Sequence, residues 1–109
     1  MELDRMLKAL GEPTRLKIYL ALLERKHCVR SLSRKLGISE SAVSQHMKVM
    51  KEAGLVYGEK FGYHTHYFPL QAGIDFLAAQ FSKMQAASLT ADRDGTVCRC
   101  AYRKEGKQV

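Results

Sequence analysis

The sequence predicts a mainly α-helical fold with one small β-hairpin, and three observations predict it. Apolar residues recur at three- and four-residue spacing through most of the chain. Glycine and proline punctuate those runs at Gly11, Pro13, Gly37 and Gly54. One stretch, VYGEKF and then HTHYF about a Gly62-Tyr63 turn, has the aromatic and β-branched content of paired strands instead. At 109 residues the chain has room for one domain and none for a second of enzyme size. Apolar residues at 46% and charged residues at 27% are ordinary soluble usage, and no run of ~20 apolar residues offers a membrane span. These figures argue against a disordered, fibrous or membrane-embedded chain.

Leu3, Met6, Leu7 and Leu10 share a helical face and Gly11 can close it, so the spacing predicts a short first helix. Pro13 suits the first position of a second helix. There Leu16, Tyr19, Leu20 and Leu23 mark an apolar face that Ile18 and Leu22 widen, which predicts a largely buried helix ending near Arg25 to His27. A brief helix from about Ser31 to Leu36 is closed by Gly37. Ser39 then caps a helix from Glu40 to Ala53, which Gly54 stops. Two such helices across a short Gly-containing turn make a helix-turn-helix, and the hairpin after it is a wing. Beyond it, Leu70, Ile74, Leu77, Phe81 and Met84 follow a 4-3-4-3 spacing, a narrow seam that one small chain has little left to cover. The expectation is therefore a winged helix-turn-helix that dimerises through its terminal helices. Residues 1–88 would form the DNA-binding and dimerisation domain, and residues 89–109 a loop and a basic, cysteine-containing tail.

Charge points to the partner. The formal net charge is +7, and between Arg25 and Lys60 eight basic residues face three acidic ones, a surplus of five in the middle of the chain. On the helix from Glu40 to Ala53, Val43, Met47 and Met50 lie on one side and Ser41, Ser44, Gln45 and Lys48 on the other. Gln can pair with adenine through two hydrogen bonds, Ser can bond a base edge or a phosphate, and Lys meets phosphate, so this second face suits the major groove of double-stranded operator DNA. Lys60 and a protonated His64 in the hairpin are further phosphate contacts. His46, between the two sides, is a phosphate contact or a local hydrogen bonder. The amino terminus lacks the basic start and apolar block of a leader, which predicts a cytoplasmic chain. His64 and His66 lack a third ligand nearby, and no nucleophile-base constellation or phosphate-binding Gly loop is present, so neither an enzyme nor a small organic substrate is expected.

The stretch LGEPTRLKIYLALLERKHCVRSLSRKLGISESAVSQHMKVMKEAGLVYGEKFGYHTHYFPL resembles the winged-helix repressors of the ArsR/SmtB family. Gly11-Glu12-Pro13-Thr14-Arg15 is similar to the opening of their second helix, and SESAVSQHMKVMKEAGLV to their recognition helix and the turn after it. The resemblance covers about residues 3 to 85. It implies a homodimeric, metal- or thiol-responsive repressor. Tyr63 departs from the family, which often has a basic residue at that place in the wing.

Inducer sites differ within such a family, and fold does not settle the ligand. A zinc-type site along the last helix needs carboxylate and His ligands there, but Gln71 to Ser88 offers Asp75 alone, and that site is rejected. The arsenic-type site is similar to His27-Cys28-Val29-Arg30-Ser31-Leu32, with Cys28 matching its first thiol, whereas Arg30 and Ser33 stand at its other two thiol positions. The tail supplies Cys98 and Cys100, which face the same way if that segment is extended and which make, with Cys28, a three-thiolate set. Soft ligands select thiophilic ions, and As(III) or Sb(III) take three sulfurs; Cd(II) or Zn(II) would want a fourth ligand, such as His27 or water. The ten residues from Ser88 to Cys98 span ~33 Å if extended, enough to reach Cys28 of the same subunit or of its partner. Arg30, Arg99 and Arg103 nearby would favour thiolate. Two other readings stay open: thiol oxidation or persulfide sensing on the same fold, and a cytosolic metal-binding or buffering protein without specific DNA binding.

Overall fold

In the computed structural model, which describes residues 1–91, the elements run α1 (Leu3–Leu10), α2 (Pro13–Glu24), β1 (His27–Cys28), α3 (Val29–Leu36), α4 (Glu40–Glu52), β2 (Val56–Phe61), β3 (His64–Pro69) and α5 (Gln71–Thr90). The fold is a winged helix-turn-helix: α3 and α4 form the motif and the β2–β3 hairpin is the wing. Tight antiparallel pairing from Val56↔Pro69 to Phe61↔His64 leaves Gly62 and Tyr63 as a two-residue turn. Gly62 takes φ +68°, the left-handed geometry a tight hairpin asks of its first central residue. The sheet gains a third strand that the sequence did not announce. β1, only two residues long, pairs with β3 through His27↔Tyr67 and Cys28↔His66, giving the order β1-β3-β2.

The core gathers Met6 from α1, Ile18 and Leu22 from α2, Leu32 from α3, Val43, Met47 and Met50 from α4, and Leu55 and Val56 at the entry to the wing. Helix starts follow local chemistry. The Glu12 carboxylate accepts from the Arg15 backbone N–H at 2.8 Å with Pro13 just inside α2, and the Ser39 hydroxyl accepts from the Ala42 N–H at 3.0 Å. α3 begins earlier than the apolar pattern predicts. The Cys28 N–H donates to the Ser31 hydroxyl at 3.1 Å, and that hydroxyl donates to the Cys28 carbonyl at 3.0 Å, which fixes Cys28 as the residue before the first turn.

Two expectations about burial need correction. In α2 the buried residues are Ile18, Tyr19, Ala21 and Leu22, whereas Leu16, Leu20 and Leu23 are exposed, Leu20 at 52%. The helix is apolar nearly all round, so its sequence cannot say which side meets this domain's core. The seam on α5 is also split. Leu77 is buried and Ile74 packs against the core, but Phe81 and Met84 are about half exposed, and every residue from Phe81 to Thr90 is exposed. Among the described residues, no helix is long and apolar enough to cross a membrane.

Candidate nucleic-acid interface

The reading helix α4 is held by one face and offers the other. Val43, Met47 and Met50 are buried, and Ser41, Ser44, Gln45 and Lys48 are exposed, the division its spacing predicts. His46 is half-buried, and its Nδ1 lies 3.3 Å from Arg15 Nη1. This is a local hydrogen bond of the kind expected as one of its two roles. Arg15 also donates from Nε to the Ala9 carbonyl at 2.7 Å, so one guanidinium ties the end of α1, the start of α2 and the middle of α4 together. The sequence offers Arg15 only as part of the GEPTR run, with no pattern to reveal that role.

Between α4 and the wing lies a cleft of about 540 Å³. Ser41 and Ser44 border it from α4, Tyr63 and His64 from the tip of the wing, and Cys28 and Arg30 from the opening of α3. Lys60 is exposed on β2 opposite Thr65, which also borders the cleft. Strand β1 explains why α3 is there at all: its pairing with β3 pins the start of α3 beside the wing. Two paired residues are too few to leave a periodic signal, so sequence reasoning missed this neighbourhood. The wing stiffens itself on aromatic contacts. Tyr57 and Phe68 stack at 5.4 Å, Phe61 meets His66 edge-on at 5.0 Å, and Lys26 sits 5.6 Å above the Phe61 ring. His66 is therefore a packing residue of the hairpin.

Cys28 is the one expected thiol within the described residues; Cys98 and Cys100 lie outside them. The Ser31 backbone N–H holds the Cys28 thiol below its ordinary pKa, outweighing partial burial, which pushes the other way; the Arg30 N–H acts with it. A sulfur at a helix start is thus biased toward thiolate. His27, named as a fourth ligand for larger ions, is next to Cys28 on strand β1, so the two side chains leave on opposite faces. It is buried, with Nδ1 3.0 Å from the Ser31 hydroxyl. Ser33, at another thiol position of the arsenic-type pattern, donates instead to the Ile38 carbonyl and closes the turn between α3 and α4. Among the described residues no group of three His, Cys, Asp or Glu could hold a metal ion. Any ion at Cys28 needs ligands from beyond residue 91 or from a second subunit.

Residues 12–57 match the family described as bacterial regulatory protein, arsR family. The chain is 42% identical over 62 residues to the HTH-type transcriptional repressor SmtB of Mycobacterium tuberculosis (strain CDC 1551 / Oshkosh), over 57% of this chain and 46% of that one. It thus spans about half the length of such relatives. It is 34% identical over 87 residues to the HTH-type transcriptional regulator Rv2034 of Mycobacterium tuberculosis (strain ATCC 25618 / H37Rv), over 80% of this chain and 81% of that one. Among solved structures, one described as a possible transcriptional regulator for arsenical resistance superposes with a TM-score of 0.67 at 30% identity, covering 84% of this chain and 100% of that one.

Proposed function

Because the chain belongs to the arsR family of bacterial regulatory proteins, we propose that it is a homodimeric repressor that grips operator DNA and releases it when cysteine thiolates capture As(III) or Sb(III). Ser41, Ser44, Gln45 and Lys48 enter the major groove, while Lys60 and His64 meet phosphate beside it. Residues 1–88 bind DNA and dimerise, and residues 89–109 bring Cys98 and Cys100 to Cys28. The observation that carries this reading is the position of Cys28: it borders the same cleft as Ser41, Ser44 and His64. A ligand tied to this sulfur stands where DNA would lie, so sensor and reader oppose each other at short range without a long relay.

The chemistry suits the donor set. Arsenous acid exchanges its three hydroxyls for three thiols, each new As–S bond releasing one water that carries away the thiol proton, and a depressed thiol pKa speeds the first exchange. The likeness to a structure described in terms of arsenical resistance supports the ion, as does the match of Cys28 to the first thiol of the arsenic-type pattern. The experiment is operator binding with and without arsenite for the wild type and Cys28→Ser. Arsenite weakens the wild type about 5- to 150-fold, the usual size of such coupling, and leaves Cys28→Ser bound. Equal release of both removes Cys28 from the sensor. The same low thiol pKa also supports a second reading, release by oxidation or persulfidation. Mass spectrometry after polysulfide treatment separates the two, since only the second leaves a covalent bridge and no metal.

A further inference from the structure

We infer that Arg30 seats a DNA backbone phosphate in the cleft between the reading helix and the wing, an inference that rests on the DNA-binding reading above. Arg30 is in the first turn of α3, exposed, and borders the cleft with Ser41, Ser44 and His64. Among the described residues its guanidinium has no hydrogen-bond or ion-pair partner, so nothing in the fold accounts for its charge. Among the described residues that line the cleft, Arg30 is the one Lys or Arg side chain, and Tyr63 stands at the tip of the wing. Glu40 borders the same cleft, and its carboxylate repels a phosphate from the start of α4. An anion entering between α4 and the wing is thereby directed toward Arg30.

Geometry gives that charge its task. A helix lying in the major groove has a phosphate wall on either side, and a cation beside its first turn faces one wall. Arg30 is fixed there because α3 starts from Cys28, which β1 bolts to β3. A planar guanidinium with five donors can hold a phosphate through two of them. Arg34 is a fair control, being exposed on the same helix one turn further on and away from the cleft. Arg30→Gln and Arg34→Gln remove the same charge from one helix, and only the first removes it from the cleft.

The test is fluorescence-anisotropy titration of a duplex bearing the gene's own promoter, and of an unrelated duplex of equal length, between about 50 and 200 mM salt. Arg30→Gln weakens binding to both duplexes by about tenfold and makes the plot of log affinity against log salt shallower by about 1. Arg30→Lys keeps the slope, and Arg34→Gln keeps both slope and affinity. The inference is overturned if Arg30→Gln retains the wild-type slope, or if Arg34→Gln reproduces its loss, which would make the effect one of net charge. If the wild type does not bind its promoter even at the lowest salt, the repressor reading fails and takes this inference with it.

Discussion

At the scale of single residues, the start of α3 is a small network in which each proton has one place to go. The Ser31 hydroxyl gives its proton to the Cys28 carbonyl, so His27 Nδ1, 3.0 Å away, must carry its own proton to bond the same oxygen. That leaves Nε2 as a bare, buried acceptor with no partner among the described residues. Protonating it would place an N–H where nothing accepts it, and burial, followed by the charges of Lys35 and Arg25, lowers the His27 pKa despite Glu24. The free ring titrates at ~6.5 and the folded ring below that. The stability owed to neutral His27 is thus complete above ~6.5 and is lost as pH falls from there through the folded value. Denaturant melts at pH 7.5 and pH 5 should register this as a steeper acid loss in the wild type than in His27→Gln, which keeps an N–H for Ser31 and does not titrate. Parallel losses would mean that His27 is not the source of the acid sensitivity. Nothing in the sequence marks His27 as a group of this kind, because its burial arises from a two-residue strand.

Between elements, the contact that matters most joins the end of the reading helix to the start of α5. The chain leaves α4 through a Schellman turn: Leu55 N–H bonds the Met50 carbonyl at 2.9 Å and Gly54 N–H the Lys51 carbonyl at 3.1 Å, with Gly54 at φ +83°. Leu70 N–H then bonds the Leu55 carbonyl at 2.8 Å. Gly73 lies so close that an added Cβ would sit 2.2 Å from the Gly54 carbonyl oxygen. This is backbone against backbone, with no side chain to swing aside, so Gly73→Ala must push α5 off the turn. The expected result is a loss of about 1–3 kcal/mol in denaturant unfolding, as for other forced overpacking, together with weaker operator binding. Unchanged stability would indicate that α5 is not seated there. The elements themselves were largely legible: both wing strands, the division of α4 into Val43, Met47 and Met50 against Ser41, Ser44, Gln45 and Lys48, and the glycine stops all follow from spacing. Contacts such as Gly73 on Gly54 or Arg15 on His46 join residues far apart in the chain, and a single sequence holds no trace of such pairs. The cleft was half legible for the same reason. Its α4 and wing borders are periodic features, while Arg30 arrives only through the pairing of β1.

At the scale of the whole molecule, one subunit leaves too much apolar surface in water. Leu16, Leu20 and Leu23 recur at i, i+4 and i+7 along α2, and Phe81, Met84 and Leu89 stand on the exposed half of α5 among the described residues. Covering a large apolar side chain is worth about 1.5–3 kcal/mol, so several together can drive association. A second copy is the occupant that the DNA-binding reading requires, because paired half-sites need two reading helices at a fixed spacing. Phe81→Glu with Met84→Glu puts two carboxylates into that seam while sparing buried Leu77 and the core beneath it. Sedimentation should then find a monomer whose helical circular dichroism per residue is retained. Operator affinity should fall about 100-fold or more, since the second half-site is no longer tethered to the first. Leu20→Glu tests the α2 stripe separately: if it also yields monomers, α2 belongs to the interface, and if it leaves the dimer intact, the α2 stripe lies outside it. A dimer that survives the double substitution on α5 would refute association through that helix and with it the proposed spacing of the two reading helices.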